Sequence, residues 1–236
     1  MISRTALCAL VAALALALLT VTTDAHSWVE CSDWRPNNKN KPAWGEKDGK
    51  CFGYARRFPI TQKVKFGGRD SRDEDKGIYN RHFDQGRGNN APPCSNRKNG
   101  AEKGDDETRG KKSVGDAYGG KYGPMATTSA GETMCVRWPA KTHNDSDDHK
   151  VMINMQKTET KEDPSQKELD GLNIAELAFS NCNGLQKDNE KNDNSPCGGC
   201  FNIRKDQKPG TYMVQWQWRL NDEMYTSCYD VKVLAK

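Results

Sequence analysis

Pro209-Gly210-Thr211-Tyr-Met-Val-Gln-Trp-Gln-Trp-Arg-Leu220 and Tyr225-Thr-Ser-Cys-Tyr-Asp-Val-Lys-Val-Leu234 are the stretches on which the fold turns. The first opens at a Pro-Gly turn and is rich in aromatic residues. In the second, Cys228, Asp230 and Lys232 alternate with Tyr229, Val231 and Val233, the period of two that puts successive side chains on opposite faces of a sheet. Further out, Thr133-Met-Cys-Val-Arg-Trp138 alternates after a turn at Ala130-Gly131-Glu132 and stops at Pro139. Lys150 to Met155 and Glu176 to Phe179 are further short strands, and only Pro164 to Leu172 has the composition of a short helix. Many short strands joined by polar loops predict an all-β fold: an antiparallel immunoglobulin- or fibronectin-like β-sandwich with long loops gathered at its ends.

Between these strands and the amino terminus, residues 63–121 are dominated by Gly, Asp, Arg, Lys and Asn, with no sustained period of two or 3.6. The segment reads as a long polar loop, functional or disordered. Cys94, Tyr79 and Phe83 suggest that part of it is pinned, and Asn99 to Lys112 looks least ordered.

The chain is polar, with 34% apolar and 29% charged residues, so its core needs other support. The cysteines offer it. Cys8 lies in an amino-terminal segment with the pattern of a secretory signal: Arg4, an apolar run from Ala6 to Leu19, then Thr23-Asp24-Ala25. The expected domain layout is a signal peptide over 1–25 and a single domain over 26–236, secreted and extracellular. Eight cysteines remain, an even set in an oxidising compartment, and four disulfides are the default. They allow on the order of a hundred pairings; a Cys135–Cys228 bridge would tie two strands together. Cys197-Gly-Gly-Cys200 reads as structural rather than redox-active or zinc-binding, having no second such pair. A formal net charge of +4 permits an anionic partner and argues against dedicated nucleic-acid binding, which needs a concentrated basic stripe. The apolar run is too short to span a bilayer, so no membrane partner is expected.

Only four histidines occur: His26, His82, His143 and His149. One stands at the first position after the expected cut, a coincidence with a chance of about 2% at this histidine frequency. An amino-terminal histidine offers one metal two nitrogens, its α-amine and its ring Nδ1, and a second imidazole completes three nitrogens in a plane. That geometry suits Cu(II), and copper also heads the affinity order of divalent metals. The amine, with an ordinary pKa near 8, gives up its proton at little cost around neutrality.

The motifs His26-Ser-Trp-Val-Glu-Cys31, Cys135-Val-Arg-Trp-Pro-Ala-Lys-Thr-His143 and Glu223-Met-Tyr-Thr-Ser-Cys-Tyr-Asp-Val231, in that order, resemble the lytic polysaccharide monooxygenases. The opening motif with Cys51-Phe-Gly-Tyr-Ala-Arg-Arg57 is most similar to auxiliary activity family seventeen, the pectin-active group. The long 63–121 segment departs from the compact loops of such enzymes. The resemblance implies one copper ion held by a histidine brace of His26 and His143, with Tyr225 as axial aromatic and Glu223 as the acid or base beside the oxygen species. His149, just before a strand, is the rival second ligand. His82 has no motif around it and reads as a surface-loop histidine.

It further implies a monomeric oxidoreductase that cuts a polysaccharide oxidatively, drawing on an external electron donor and on dioxygen or hydrogen peroxide. Pectic homogalacturonan is the first substrate and cellulose or chitin the alternative. Arg56, Arg57 and the run from Lys63 to Arg69 would suit a polyanion, although such runs are usually solvated faces. Trp28 and Trp34 are candidates for the substrate surface, with burial equally open for each; Trp138, Trp216 and Trp218 read as core. Asn144-Asp145-Ser146 is a glycosylation sequon beside His143; a glycan there would crowd the substrate face, so low occupancy is expected. Two rival readings stand beside the enzyme: a non-catalytic copper-binding protein with the same brace, and a metal-free disulfide-rich secreted effector.

Overall fold

A computed structural model describes residues 27–58, 60, 82–84, 93–94, 114–140, 150–159, 162–183, 195–220 and 223–236, with the backbone alone for 82–84, 220 and 223. In chain order the strands are β1 (Trp34–Pro36), β2 (Gly49–Cys51), β3 (His82–Asp84), β4 (Ala126–Ser129), β5 (Thr133–Pro139), β6 (Lys150–Met155), β7 (Asn173–Ala178), β8 (Pro196–Asn202), β9 (Gly210–Leu220) and β10 (Glu223–Leu234). One helical turn, α1 (Gln166–Asp170), starts at a capping box in which Ser165 and Glu168 satisfy each other's backbone N–H groups.

The two stretches that open the sequence reading are β9 and β10, paired antiparallel from Leu220 opposite Glu223 to Gly210 opposite Val233. They form the centre of a six-stranded sheet ordered β3-β10-β9-β6-β7. The outer edge of β10 carries β3 at one end and β4 at the other, and β4 runs parallel to it, so the sheet is mixed rather than wholly antiparallel. A second sheet, β5 with β8, packs across it, and a third layer is the short β1–β2 pair. The fold is an all-β sandwich, as the strand pattern predicts.

Alternation along the strands decides what lies between these layers. Tyr212, Val214, Trp216 and Trp218 of β9, with Tyr225, Tyr229, Val231 and Val233 of β10, meet Met134, Val136, Trp138 and Phe201 of the smaller sheet in the main core. Phe179 stacks on Trp218 with ring centroids 4.0 Å apart. The opposite face of β5 sends Cys135 into a second cluster with Cys31, Trp34 and Trp44. The opposite face of β9–β10 sends Met213 and Cys228 into a third, with Cys94 and Leu169.

Four disulfides join Cys31 to Cys51, Cys94 to Cys228, Cys135 to Cys200 and Cys182 to Cys197. A Cys135–Cys228 bridge is therefore not formed. Those two side chains leave their sheets on opposite sides of the main core, into separate clusters. The Cys197-Gly-Gly-Cys200 motif is structural, each cysteine pairing elsewhere. Its glycines serve packing: a Cβ on Gly198 would lie 2.3 Å from the Trp44 ring, and one on Gly199 2.8 Å from Leu177.

The long polar segment contributes more than a loop. It supplies β3, the bridged Cys94 and a 3-10 turn at Val114–Ala117, while 99–112 lies outside the described residues. Its anchor is a buried charge cluster. Arg56 grips Asp230 through Nε and Nη2, both at 2.7 Å, and Asp163 through Nη1 and Nη2 at 2.7 and 2.9 Å. Tyr118 donates to Asp230 at 3.1 Å and accepts from the Asp230 N–H at 2.7 Å. Burial alone would lower the Arg56 pKa, but the two carboxylates hold it well above its ordinary value. Beside it, Gln215 and Gln166 exchange side-chain hydrogen bonds, and Gln215 donates to the Pro93 carbonyl at 2.8 Å.

Two expectations follow from this cluster. Arg56→Ala takes the shared cation from two buried carboxylates and lowers unfolding free energy by about 3–5 kcal/mol, readable by urea denaturation. Burial, and for Tyr118 the nearby Asp230 carboxylate, push the Tyr118 and Tyr229 hydroxyls well above their ordinary pKa. Their contribution is complete below the unfolded tyrosine range near pH 10. Above it, stability falls by about 1.4 kcal/mol per pH unit per tyrosine, and Tyr118→Phe removes one share of that slope in urea melts from pH 8 to 11.

Candidate metal-site junction

The first described residues, 27–31, meet the free edge of β5 through one isolated antiparallel bridge, Cys31 to Arg137. Glu30 and Cys31 both donate their N–H to the Arg137 carbonyl, at 2.9 and 3.3 Å, and the Arg137 N–H donates to the Cys31 carbonyl at 2.9 Å. The side chains repeat the grip: the Arg137 guanidinium pairs with the Glu30 carboxylate, both about 1% exposed, and Nε donates to the Trp44 carbonyl at 2.6 Å. Arg137 also lies over the Trp34 ring, 5.5 Å from its centroid.

At the outer end of this segment three elements meet. Ser27 Oγ donates to the Pro139 carbonyl at 2.8 Å, and the Val29 N–H donates to Ser227 Oγ at 3.0 Å. Ser27 follows His26 in the chain, Pro139 precedes His143 by four residues, and Ser227 follows Tyr225 by two. Tyr225 is 3% exposed, and its ring leans on Trp218 at 5.2 Å between centroids.

His26, His143, His149, the Asn144 sequon and Lys63 to Arg69 lie outside the described residues. Glu223 is placed by its backbone, opposite Leu220 of β9 and Asp84 of β3. His82 belongs to β3, not to a surface loop, and its backbone pairs with that of Tyr225. No sequence signal marked it, because a three-residue strand is too short to show a period. Among the described residues, no three His, Cys, Asp or Glu side chains converge to hold a metal, and no helix is long and apolar enough to cross a membrane.

Of the two readings open for the substrate-surface candidates, the structure takes burial. Trp28 and Trp34 are each 2% exposed. Trp28 belongs to the main core; Trp34 donates its Nε1–H to the Ala43 carbonyl at 2.9 Å and packs flat on Gly49. Trp34 borders a shallow cleft with Glu46, Lys50 and Tyr54 yet has almost no surface to offer a sugar. Polar neighbours in the sequence misled here: Glu30, Asp33 and Ser32 are themselves buried. Arg56 is committed to two carboxylates and is closed to a polyanion, and Arg57 is half-buried with φ at 55°. The exposed features nearby are Phe52, with the Arg35 guanidinium 4.2 Å from its ring centroid, and Lys50, the register partner of Arg35.

No family model matches the chain, and no curated protein does. Among solved structures it is similar to a chitin binding domain from Burkholderia pseudomallei, at 9% identity over 88% of this chain and 85% of that one, TM-score 0.41. An AA10 lytic polysaccharide monooxygenase from Streptomyces lividans matches at 11% identity over 58% and 79%, TM-score 0.33. A cellulose-active polysaccharide monooxygenase from M. thermophila matches at 13% identity over 88% and 78%, TM-score 0.37.

Removing the cation from the Glu30–Arg137 pair leaves a buried carboxylate without its countercharge from Arg137. Arg137→Ala is therefore expected to cost about 3–5 kcal/mol. The same variant should raise hydrogen exchange at Glu30 and Cys31 above that at Val214, which isotope-exchange mass spectrometry would read.

Proposed function

We propose that the chain is a secreted copper-dependent lytic polysaccharide monooxygenase that cuts pectic homogalacturonan. The observation that carries the reading is the junction of Ser27 with Pro139 and of Val29 with Ser227. It gathers the chain neighbours of every residue the motif resemblance assigns to copper.

Covalent geometry limits the rest. The His26 Cα lies about 3.8 Å from that of Ser27, and three residues from Ala140 to His143 span at most about 11 Å. The donor set fits copper by its chemistry: the amine and imidazole of His26, the imidazole of His143 and the Tyr225 phenol, with nitrogen donors preferred by Cu(II). His149, one residue before β6, is the variant to test beside His143. When bound, copper supplies one-electron chemistry through which an external donor and dioxygen or hydrogen peroxide break a C–H bond at the glycosidic linkage.

The chain's own part in this reading is to hold residues 27–29 against both sheets, with Tyr225 fixed by packing on Trp218, which stacks on Phe179. Glu223 is assigned the proton-handling role beside the metal. Pectin is preferred over cellulose or chitin through the opening motif. The exposed Phe52 ring with the Arg35 guanidinium over it, Arg35 being paired with Asp33, and the exposed Lys50 opposite Arg35 in register are compatible with a uronate sugar.

The first test is a Cu(II) titration of protein whose amino terminus is verified as His26, followed by electron paramagnetic resonance. One tight equivalent with a nitrogen-rich axial signal, lost in His26→Ala, is expected. Oxidised oligogalacturonides should then appear with reductant and peroxide. Tight copper without any oxidised product from pectin, cellulose or chitin would make the protein a copper carrier; indifference to His26→Ala would remove the metal reading altogether.

A further inference from the structure

Pro139 and Pro196 face each other at the end of the β5–β8 ladder. The Ala140 N–H reaches the Ser195 carbonyl on one side and the Arg137 peptide bonds the Cys31 peptide on the other, so by the alternation along β5 the Pro139 carbonyl points away from β8, toward the amino-terminal segment. There it accepts the Ser27 hydroxyl, which is fully buried. On β10, Ser227 is a polar side chain in the row of Tyr225, Tyr229 and Val231 that faces the main core. Its Oγ takes the Val29 N–H. A buried hydroxyl costs free energy unless it is bonded, and both of these fasten the same short segment of chain: Ser27 reaches from the segment to β5, and Ser227 reaches from β10 to the segment.

We infer that Ser27 and Ser227 are positioning residues: two hydroxyl tethers that seat the mature amino terminus on both sheets before any metal arrives. The inference rests on the copper reading above and goes beyond it, because it assigns the ordering of the terminus to folding rather than to metal binding. Chain termini ordinarily fray, and fixing a residue's backbone on binding weakens the binding. With the tethers in place, that entropy is lost when the protein folds. Copper would then meet a terminus whose next residue is already held.

The test uses full-length mature protein beginning at His26, with Ser27→Ala and Ser227→Ala. Ser32→Ala is the control, because the Ser32 hydroxyl is buried in the same segment and has no hydrogen-bond partner among the described residues. Three readouts apply: thermal midpoint of the metal-free protein, Cu(II) affinity by competition titration, and the electron paramagnetic resonance spectrum. All variants are expected to fold. Ser27→Ala and Ser227→Ala should bind copper about tenfold more weakly than the parent with a broadened, multi-component spectrum, while Ser32→Ala matches the parent. Parent-like affinity and spectrum in both serine variants would overturn the tether while leaving the copper reading intact. A parent protein that takes up no copper would overturn both.

Discussion

The Arg137 peptide and side chain together hold the architecture in register. Its carbonyl accepts two successive N–H groups from Glu30 and Cys31, and its own N–H is taken by Cys31. Its guanidinium is shared between the Glu30 carboxylate and the Trp44 carbonyl. A charge so completely removed from water is tolerable only when every donor is answered. That requirement makes the amino-terminal segment, β5 and the Trp34–Trp44 layer interdependent: moving any one leaves a buried charge or carbonyl alone. The Cys31–Cys51 bridge then fastens the outer layer to the same segment.

The same solution recurs on the far side of the sandwich. A chain with 34% apolar residues has one well-filled core, between the sheets, and has to cover the remaining sheet faces with polar groups. On the outer face of β9–β10 these are Asp230, Gln215 and Gln217, each buried, and the loops over them bring Arg56, Asp163, Tyr118 and Gln166 as partners. Hydrogen-bond satisfaction replaces apolar area there. The Cys94–Cys228 bridge, which closes 134 residues of chain, limits the unfolded ensemble by about 5 kcal/mol on chain-entropy grounds.

This division explains what could be read from the sequence. β5, β6, β9 and β10 were legible because apolar residues fill their core-facing positions with a period of two while the opposite face, although also buried, carries many polar residues and cysteines, and the Ser165–Glu168 capping box marks the α-helix among the described residues. β1, β2 and β3 are three residues each, too short for a period to register. β8 was hidden by glycines that carry no hydrophobic signal and are there to let Trp44 and Leu177 approach. The burial of Trp28, Trp34 and Arg56 escaped for a related reason. Their sequence neighbours are polar, and whether a polar residue is solvated or paired inside depends on partners more than 100 positions away, as with Glu30 and Arg137 or Arg56 and Asp230.

The candidate site was legible in its covalent outline and not in its support. Histidine at the start of a secreted chain is a chemical signal that needs no fold to interpret. The tethers behind it are serines, among the commonest polar residues, and nothing local distinguishes Ser27 or Ser227 from solvated hydroxyls. Their significance comes from a β5 carbonyl turned to the free edge of its ladder and from an apolar row on another strand. A terminus offers two donor nitrogens only if it is free of a preceding peptide bond, and it is the part of a chain least held by neighbours. A fold that uses a terminus for chemistry must therefore restrain it from the next residue onward, without covering the amine. Two single hydroxyls, one reaching from the segment to β5 and one from β10 to the segment, meet that condition with little bulk, whereas an apolar plug of equal holding strength would bury the atoms that have to remain open.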